Sequence, residues 1–257
     1  MPELPEVETL CRQLQEKIAG EKILSSKVYD PKLAHVPDLR GRIVRAVRRN
    51  GKMIEFIIDA GESIFVHLRM SGRLVWHKEK EMPKYARWCL SFPAAQICLV
   101  DPRRFATIAI SSTEQLKCNN DLLLDFDQSA FITKNGGRKT KVKNLLMDQR
   151  AINGIGNIYA CEILHCSGIH PDRTAASLAG TDWERIFGNA KNILKKAITK
   201  RGTSISDWRD LDGRPGENQH ELKAYGREGK KCFLCKGTIQ RLKQGGRSTY
   251  YCPCCQK

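Results

Sequence analysis

The 257-residue sequence holds no uninterrupted apolar run long enough to cross a bilayer, which takes about 20 residues. Its first twenty residues carry glutamates instead of the apolar stretch of a secretory signal. Both absences place the expected site of action inside the cell, in the cytoplasm or nucleoid. Acid is also scarce: 28 Asp and Glu face 44 Lys and Arg, a net charge of +16. With no lipidation signal and no amphipathic anchor, that imbalance points to a polyanionic partner, nucleic acid ahead of a membrane surface. Internal repeats and low-complexity segments are absent as well. The length therefore reads as one large or two to three small globular domains.

Cysteine is plentiful but unevenly spread. Six (Cys11, Cys89, Cys98, Cys118, Cys161 and Cys166) are scattered through sequence that reads as ordinary helix and strand, and five crowd into the last 26 residues. In a reducing compartment such crowding indicates metal before disulfide. Cys232 and Cys235 form one C-x2-C pair and Cys252 and Cys255 a second, sixteen residues apart. Two such knuckles, each ending a strand of a β-hairpin, bring four thiolates around one Zn2+. Cys254 is a spare, because C-x-C is the poorer knuckle. With no His, carboxylate or open position in the set, the zinc is structural and folds its segment. It would hold up the hairpin tip Lys243 to Ser248, where Gly245 and Gly246 turn the chain and Arg247 can reach a phosphate or groove.

From about Lys22 to Ser111, β-branched and aromatic runs alternate with polar and glycine breaks: MIEFII at Met53 to Ile58, SIFVHL at Ser63 to Leu68, ATIAIS at Ala106 to Ser111. These predict a β-rich domain, a sandwich. After about Glu114 the apolar spacing becomes helical, with helices predicted over Gln115 to Asp121, Lys141 to Met147, Gly156 to Cys166 and Asp182 to Thr199. The predicted domains are 1–114, 115–225 and 226–257, the last basic and punctuated by cysteine.

The chain opens MPELPEVETL. A small second residue favours removal of Met1, which would leave Pro2 as a secondary α-amine. Such an amine titrates near pH ~7.7 to 8.0, against ~10.4 for lysine, so it is far more nucleophilic at neutral pH. Its attack on a sugar aldehyde carbon yields an iminium with permanent positive charge, an electron sink suited to elimination. Glu3, Glu6 and Glu8 stand beside it, in the first turn of a helix predicted from Pro5 to about Lys17, where carboxylates also complement the helix dipole.

Three separated motifs, MPELPEVE at the start, GIGNIYACE at Gly154 to Glu162 and the segment ending RSTYYCPCCQK, together resemble the formamidopyrimidine-DNA glycosylases, of the broader family that includes endonuclease VIII. DPRRF at Asp101 to Phe105 and SGIHPDR at Ser167 to Arg173 extend the likeness over nearly the whole chain. The resemblance implies an α+β, two-lobed fold: an N-terminal β-sandwich with flanking helices, then a helix-two-turns-helix domain with a lesion-capping loop and a β-hairpin zinc finger. It implies a monomer acting on double-stranded DNA that contains oxidised bases or abasic sites. By the same resemblance Pro2 is the nucleophile, Glu3 the acid that assists ring opening, Glu6 a second acidic group and Lys52 a supporting lysine. His67, Asn157 and Arg247 would hold backbone phosphates, and Lys143 would be a further DNA-binding residue. Met70, Arg103 and Phe105 would fill the stack once the damaged nucleotide swings out, since an amine cannot reach C1′ inside a duplex. A guanidinium at a base edge and an apolar wedge suit bent DNA.

The likeness is incomplete in two places. After Pro215 and Gly216 many relatives carry aromatics where this chain has Glu217 and Asn218, and Arg69 stands where relatives usually have a small residue. The expected activity is excision of 8-oxoguanine and formamidopyrimidines with β,δ-elimination at the abasic site. The alternatives are an endonuclease VIII-like preference for oxidised pyrimidines, or a zinc protein that binds damaged DNA without catalysis.

Overall fold

The computed structural model describes residues 1–78, 81–112, 120–124 and 126–257, and the chain divides into two compact units. The helix predicted over Gln115 to Asp121 lies largely outside the described residues. The first unit comprises residues 1–117 with 200–219. It starts with α1 (Leu4–Ile18) and continues through β1 (Ser25–Val28), β2 (Val44–Asn50), β3 (Met53–Ile58), β4 (Ser63–His67), β5 (Arg73–His77), β6 (Ala86–Ser91), β7 (Gln96–Val100) and β8 (Thr107–Ser111). These strands form two four-stranded antiparallel sheets, in the orders β1-β6-β7-β5 and β2-β3-β4-β8.

Alternation along the strands explains the sandwich. Trp88, Leu90, Ile97 and Leu99 from one sheet meet Ile54, Phe56, Ile64 and Val66 from the other in a single buried cluster. Phe56 and Trp88 touch edge to face with centroids 6.2 Å apart. Val7, Leu10, Cys11, Leu14 and Ile18 recur at helical spacing and lay α1 onto the same cluster. That packing fixes the position of the chain's N-terminal segment.

The outward face of β6 and β7 carries a departure from the sequence reading. Cys89 and Cys98, two of the six scattered cysteines, are directly opposed across the strands and joined by a disulfide. Both point away from the central cluster and pack with Val100, Val75 and Ala86. Opposition in register arises from strand pairing, which residue spacing alone does not reveal.

The second unit comprises residues 118–199 with 220–257. It holds α2 (Gln128–Asn135), α3 (Val142–Leu146), α4 (Asn157–Ser167), α5 (Gly180–Thr199) and the hairpin strands β9 (Gln240–Gln244) and β10 (Arg247–Tyr251). Helix α2 was not expected from sequence. Its N-cap Asp127, which accepts the Ala130 N–H at 2.9 Å, is the local signal for it. Phe131 of α2 joins Trp183 and Phe187 of α5 in an aromatic cluster. No described helix is long and apolar enough to cross a membrane.

Candidate active site and nucleic-acid interface

The N-terminal end of α1 is built from charged groups sunk into the fold. Pro2 is partly exposed, whereas Glu3, Glu6 and Lys52 are buried. Glu3 is the N-cap, and its N–H donates to Glu6 Oε2 at 2.8 Å within a capping box. Lys52 sits in the turn joining β2 to β3. Arg49 ties that turn to α1: its guanidinium meets Glu8 at 2.9 Å and the Gly51 carbonyl at 3.3 Å. The hairpin thus carries Lys52 in a turn whose preceding strand is tied through Arg49 to the helix following Pro2.

His67 ends β4. Burial, then the charges of Arg69 and Lys52, hold its pKa down at about 4, so the ring is neutral at physiological pH. Its Nδ1 accepts the Arg69 N–H at 3.0 Å, which leaves the proton on Nε2 as a neutral donor. Arg69 is exposed and has a φ of 55°, a conformation that costs a side-chain-bearing residue roughly 1 to 2 kcal/mol.

Two loops of the first unit present large side chains to solvent. Met70, between β4 and β5, is 58% exposed, and Phe105, between β7 and β8, is 51% exposed. Arg103 lies over the Phe105 ring at 5.2 Å. The loops abut: a side chain at Gly72 would meet Ala106, and the Ser71 hydroxyl donates to Asp101. Asp101 is the organiser. It is buried and accepts backbone N–H groups from Arg103 at 3.2 Å and from Phe105 and Ala106 at 2.7 Å each. Burial works to raise its pKa, but those bonds and the one from Ser71 hold the carboxyl below its ordinary value. Arg104 turns away from Arg103 to pair with Asp30, which also binds Arg87 at 2.6 Å.

In the second unit the expected DNA-binding side chains form a line. Lys143 of α3 is fully buried, and its ammonium donates to Asn157 Oδ1 at 2.6 Å. Asn157, the first residue of α4, in turn donates from Nδ2 to the Ser248 carbonyl at 3.0 Å. The helix N-terminus is thereby tied to β10 and the hairpin tip. Gly245 and Gly246, with φ of 56° and 76°, make the two-residue turn that opposes Gln244 to Arg247. Arg247 is exposed at its end.

The same hairpin leads into the cysteine cluster. The sulfurs of Cys232, Cys235, Cys252 and Cys255 all lie within 4.8 Å of one another. Cys232 and Cys255 are 3.8 Å apart and Cys235 and Cys252 3.4 Å. A tetrahedral zinc with bonds of about 2.3 Å requires sulfur separations of about 3.8 Å, so the four residues fit the ion. Cys254 stands outside the tetrad, its sulfur packed against Gly237.

Comparison with known proteins assigns the chain. Residues 1–108 match the formamidopyrimidine-DNA glycosylase N-terminal domain, residues 119–208 the H2TH domain of the same enzymes, and residues 229–257 the zinc finger found in FPG and IleRS. The formamidopyrimidine-DNA glycosylase of Heliobacterium modesticaldum is 38% identical over 277 aligned residues, with the whole of both chains covered. The chain belongs to the formamidopyrimidine-DNA glycosylase family. Among solved structures, a complex of a Lactococcus lactis FPG variant with Fapy-dG-containing DNA aligns over the whole of both chains with a TM-score of 0.92 and 32% identity. A complex of L. lactis Fpg with abasic-site DNA aligns over 99% of each chain with a TM-score of 0.91 and 32% identity. A complex of the wild-type L. lactis protein with DNA containing an oxidised pyrimidine scores 0.90 at 32% identity over all of both chains. In this family frame the cysteine tetrad is a structural zinc site.

Several residues that shape the glycosylase surface carried no sequence signal. Asp101 was visible only as the first letter of DPRRF, and Asp30, its indirect partner through Arg87, lies 71 positions earlier. Glu162, at the end of GIGNIYACE, is buried and gathers the N–H groups of Lys223, Ala224 and Tyr225 at 2.7 to 2.9 Å. His165, fully buried on α4, sits with Nε2 3.2 Å from the Cys232 sulfur. Each of these contacts is long-range in sequence, and an isolated acid or histidine on a helix gives no hint of it.

Proposed function

We propose that this glycosylase excises oxidised purines, 8-oxoguanine and formamidopyrimidines, from double-stranded DNA and then cleaves the abasic site through Pro2. The observation that carries the reading is the N-terminal end of α1, where Pro2 is held partly exposed next to buried Glu3 and Glu6 on a helix anchored in the sandwich core, with the turn that holds buried Lys52 tied to the same helix through Arg49 and Glu8. With Met1 removed, the Pro2 nitrogen attacks deoxyribose C1′ and the bond to the base breaks, the base leaving with a proton. Glu3 gives a proton to the ring oxygen as the sugar opens to the iminium. That cation acidifies the C2′ proton. Its loss expels the 3′ phosphate, a second elimination expels the 5′ phosphate, and water then frees Pro2.

His67, Asn157 and Arg247 serve the phosphates, with His67 acting as a neutral Nε2–H donor and buried Lys143 holding Asn157 from behind. Met70, Arg103 and Phe105 fill the space that the extruded nucleotide leaves, and the exposure of two apolar side chains on a well-packed sandwich supports that role. Zinc holds the Arg247 hairpin in shape. A second reading, excision of oxidised pyrimidines, is favoured by the likeness to the L. lactis complex with such a lesion.

Borohydride trapping tests the chemistry. Mature protein, with Met1 removal verified by intact mass, should form a covalent adduct with an abasic-site duplex. Met1-retaining protein, in which the Pro2 nitrogen is an amide, should bind the duplex and lose the adduct, whereas Pro2→Gly, which keeps a primary terminal amine, should bind and trap more slowly. Normal binding with no adduct from the mature protein would overturn the proposal. Competitive excision from matched duplexes carrying 8-oxoguanine or an oxidised pyrimidine decides the lesion class.

A further inference from the structure

The segment 200–219 follows α5 yet packs in the first unit, and its contacts converge on α1. Thr203 donates its N–H to Glu6 Oε1 at 2.7 Å. Glu6 Oε2 accepts from Glu3, so one buried carboxylate bridges the segment and the residue next to Pro2. Further along α1, Gln13 donates to Asp210 at 3.0 Å and accepts the Leu211 N–H at 2.9 Å, and Lys17 meets Asp212 at 3.2 Å. Glu6, Gln13 and Lys17 are spaced by seven and four residues, so they form one stripe of the helix. The segment clasps that stripe along its length.

The clasp is tightest at Gly202. Its φ is 76°, and a Cβ there would come within 2.6 Å of Glu6 Oε1 and 2.8 Å of its Cγ. Across the loop, Asn218 N–H donates to the Gly202 carbonyl at 3.0 Å and Asn218 Nδ2 to Thr203 Oγ1 at 2.8 Å. Glu217, its neighbour, pairs with Arg201 at 2.8 Å. The two residues that depart from the pattern of relatives thus close the loop behind Glu6.

We propose that Glu6 is a positioning residue, and that a hydrogen-bond relay from Asn218 through Thr203 and Glu6 to Glu3 couples the 200–218 segment to the presentation of Pro2. The proposal rests on Pro2 being the nucleophile. A buried carboxylate whose two oxygens both receive backbone N–H groups fixes two chain segments against each other, and Pro2 lies one residue beyond one of them. Loosening the far end of the relay therefore moves the nucleophile while every acidic group stays in place.

Asn218→Ala and Gly202→Ala separate this role from proton transfer, because both keep the Glu6 carboxylate and neither touches Pro2. The readouts are single-turnover borohydride trapping on a preformed abasic-site duplex, duplex Kd and melting temperature. Misplacement of a reacting group by about 1 Å can cost a hundredfold, so trapping should slow by about tenfold in Asn218→Ala and more in Gly202→Ala, with Kd within about twofold. Combining Asn218→Ala with Glu6→Gln should slow trapping no more than Glu6→Gln alone. If Gly202→Ala fails to fold, Asn218→Ala decides. Wild-type rates in a folded Asn218→Ala variant overturn the proposal, as does strict additivity with Glu6→Gln. Wild-type protein that binds the duplex but forms no adduct removes the Pro2 reading and this proposal with it, whereas normal wild-type trapping with unaffected variants removes the proposal alone.

Discussion

The first unit and the zinc hairpin both present side chains suited to DNA, and they do it by different physics. Arg103 and Phe105 stand on a loop rooted in a sandwich with a large apolar core, and a buried carboxylate, Asp101, gathers the loop's backbone N–H groups. Arg247 stands on a two-stranded hairpin whose local apolar cluster amounts to Cys232, Ile239 and Cys252 with Tyr250 and Cys255 against it. So small a cluster cannot offset the entropy of ordering the segment. Metal supplies the difference. A loop on a large core can be shaped by internal hydrogen bonds, whereas a short basic hairpin needs a covalent-strength centre.

The contrast is broken most directly by removing zinc. Chelation, or Cys232→Ser, should unfold residues 229–257 and lower affinity for any duplex by at least about a hundredfold, since Arg247 and the hairpin lysines lose their platform. The sandwich should keep its own melting transition, which calorimetry resolves. A coincident loss of both transitions would show that the two regions are not independently held.

Asp101→Asn attacks the other side. Replacing a buried carboxylate that serves three backbone N–H groups and lies 3.5 Å from Arg87 should cost about 3 kcal/mol of sandwich stability, read as a lowered urea midpoint, with the zinc content unchanged. The pH dependence has a definite sign. The folded carboxyl is held below its ordinary value, so its contribution is present above about pH 4 and is lost as pH falls through the lower folded value. The Asn variant should lack that acid-limb loss.

His67 sharpens the comparison at milder pH. Its folded pKa of about 4 lies below the unfolded value of about 6.5, so the unfolded chain takes up the proton first and stability declines as pH falls between those two values. His67→Gln should flatten that decline by up to about 2 kcal/mol in urea titrations at pH 7 and pH 4.5. Ring resonances of His67 should stay those of a neutral Nε2–H tautomer at pH 6. A titration near 6.5 in the folded protein would contradict the buried, cation-flanked environment.

The same division governs how far the chain could be read in advance. Strands β3, β4 and β8 and helices α4 and α5 follow from apolar spacing to within about two residues, because each puts a regular stripe into a core. The C-x2-C pairs announce the metal for the same reason, since knuckle spacing is local. The clasp of residues 200–219 on α1 and the opposition of Cys89 and Cys98 depend on which segments meet, and no local pattern encodes that. Helix α2 escaped notice because only Phe131 and Asn135 among its eight residues are buried, too few to make a stripe.

The smallest effect tests the hairpin turn itself. Gly246 has a φ of 76° with open space around its Cα, so Gly246→Ala meets no clash and pays only for the left-handed backbone. That cost is roughly 1 to 2 kcal/mol. Zinc binding offsets it, because the ligands lie away from the turn, before β9 and just after β10, and cobalt-substituted protein should show unchanged thiolate spectra. Arg247, next in the chain, should lose its fixed approach, with duplex affinity falling by about three- to tenfold and the salt slope shrinking by less than one ion. A tetrad that holds its geometry while the tip degrades would show that the metal sets the base of the hairpin and the glycine turn sets its point.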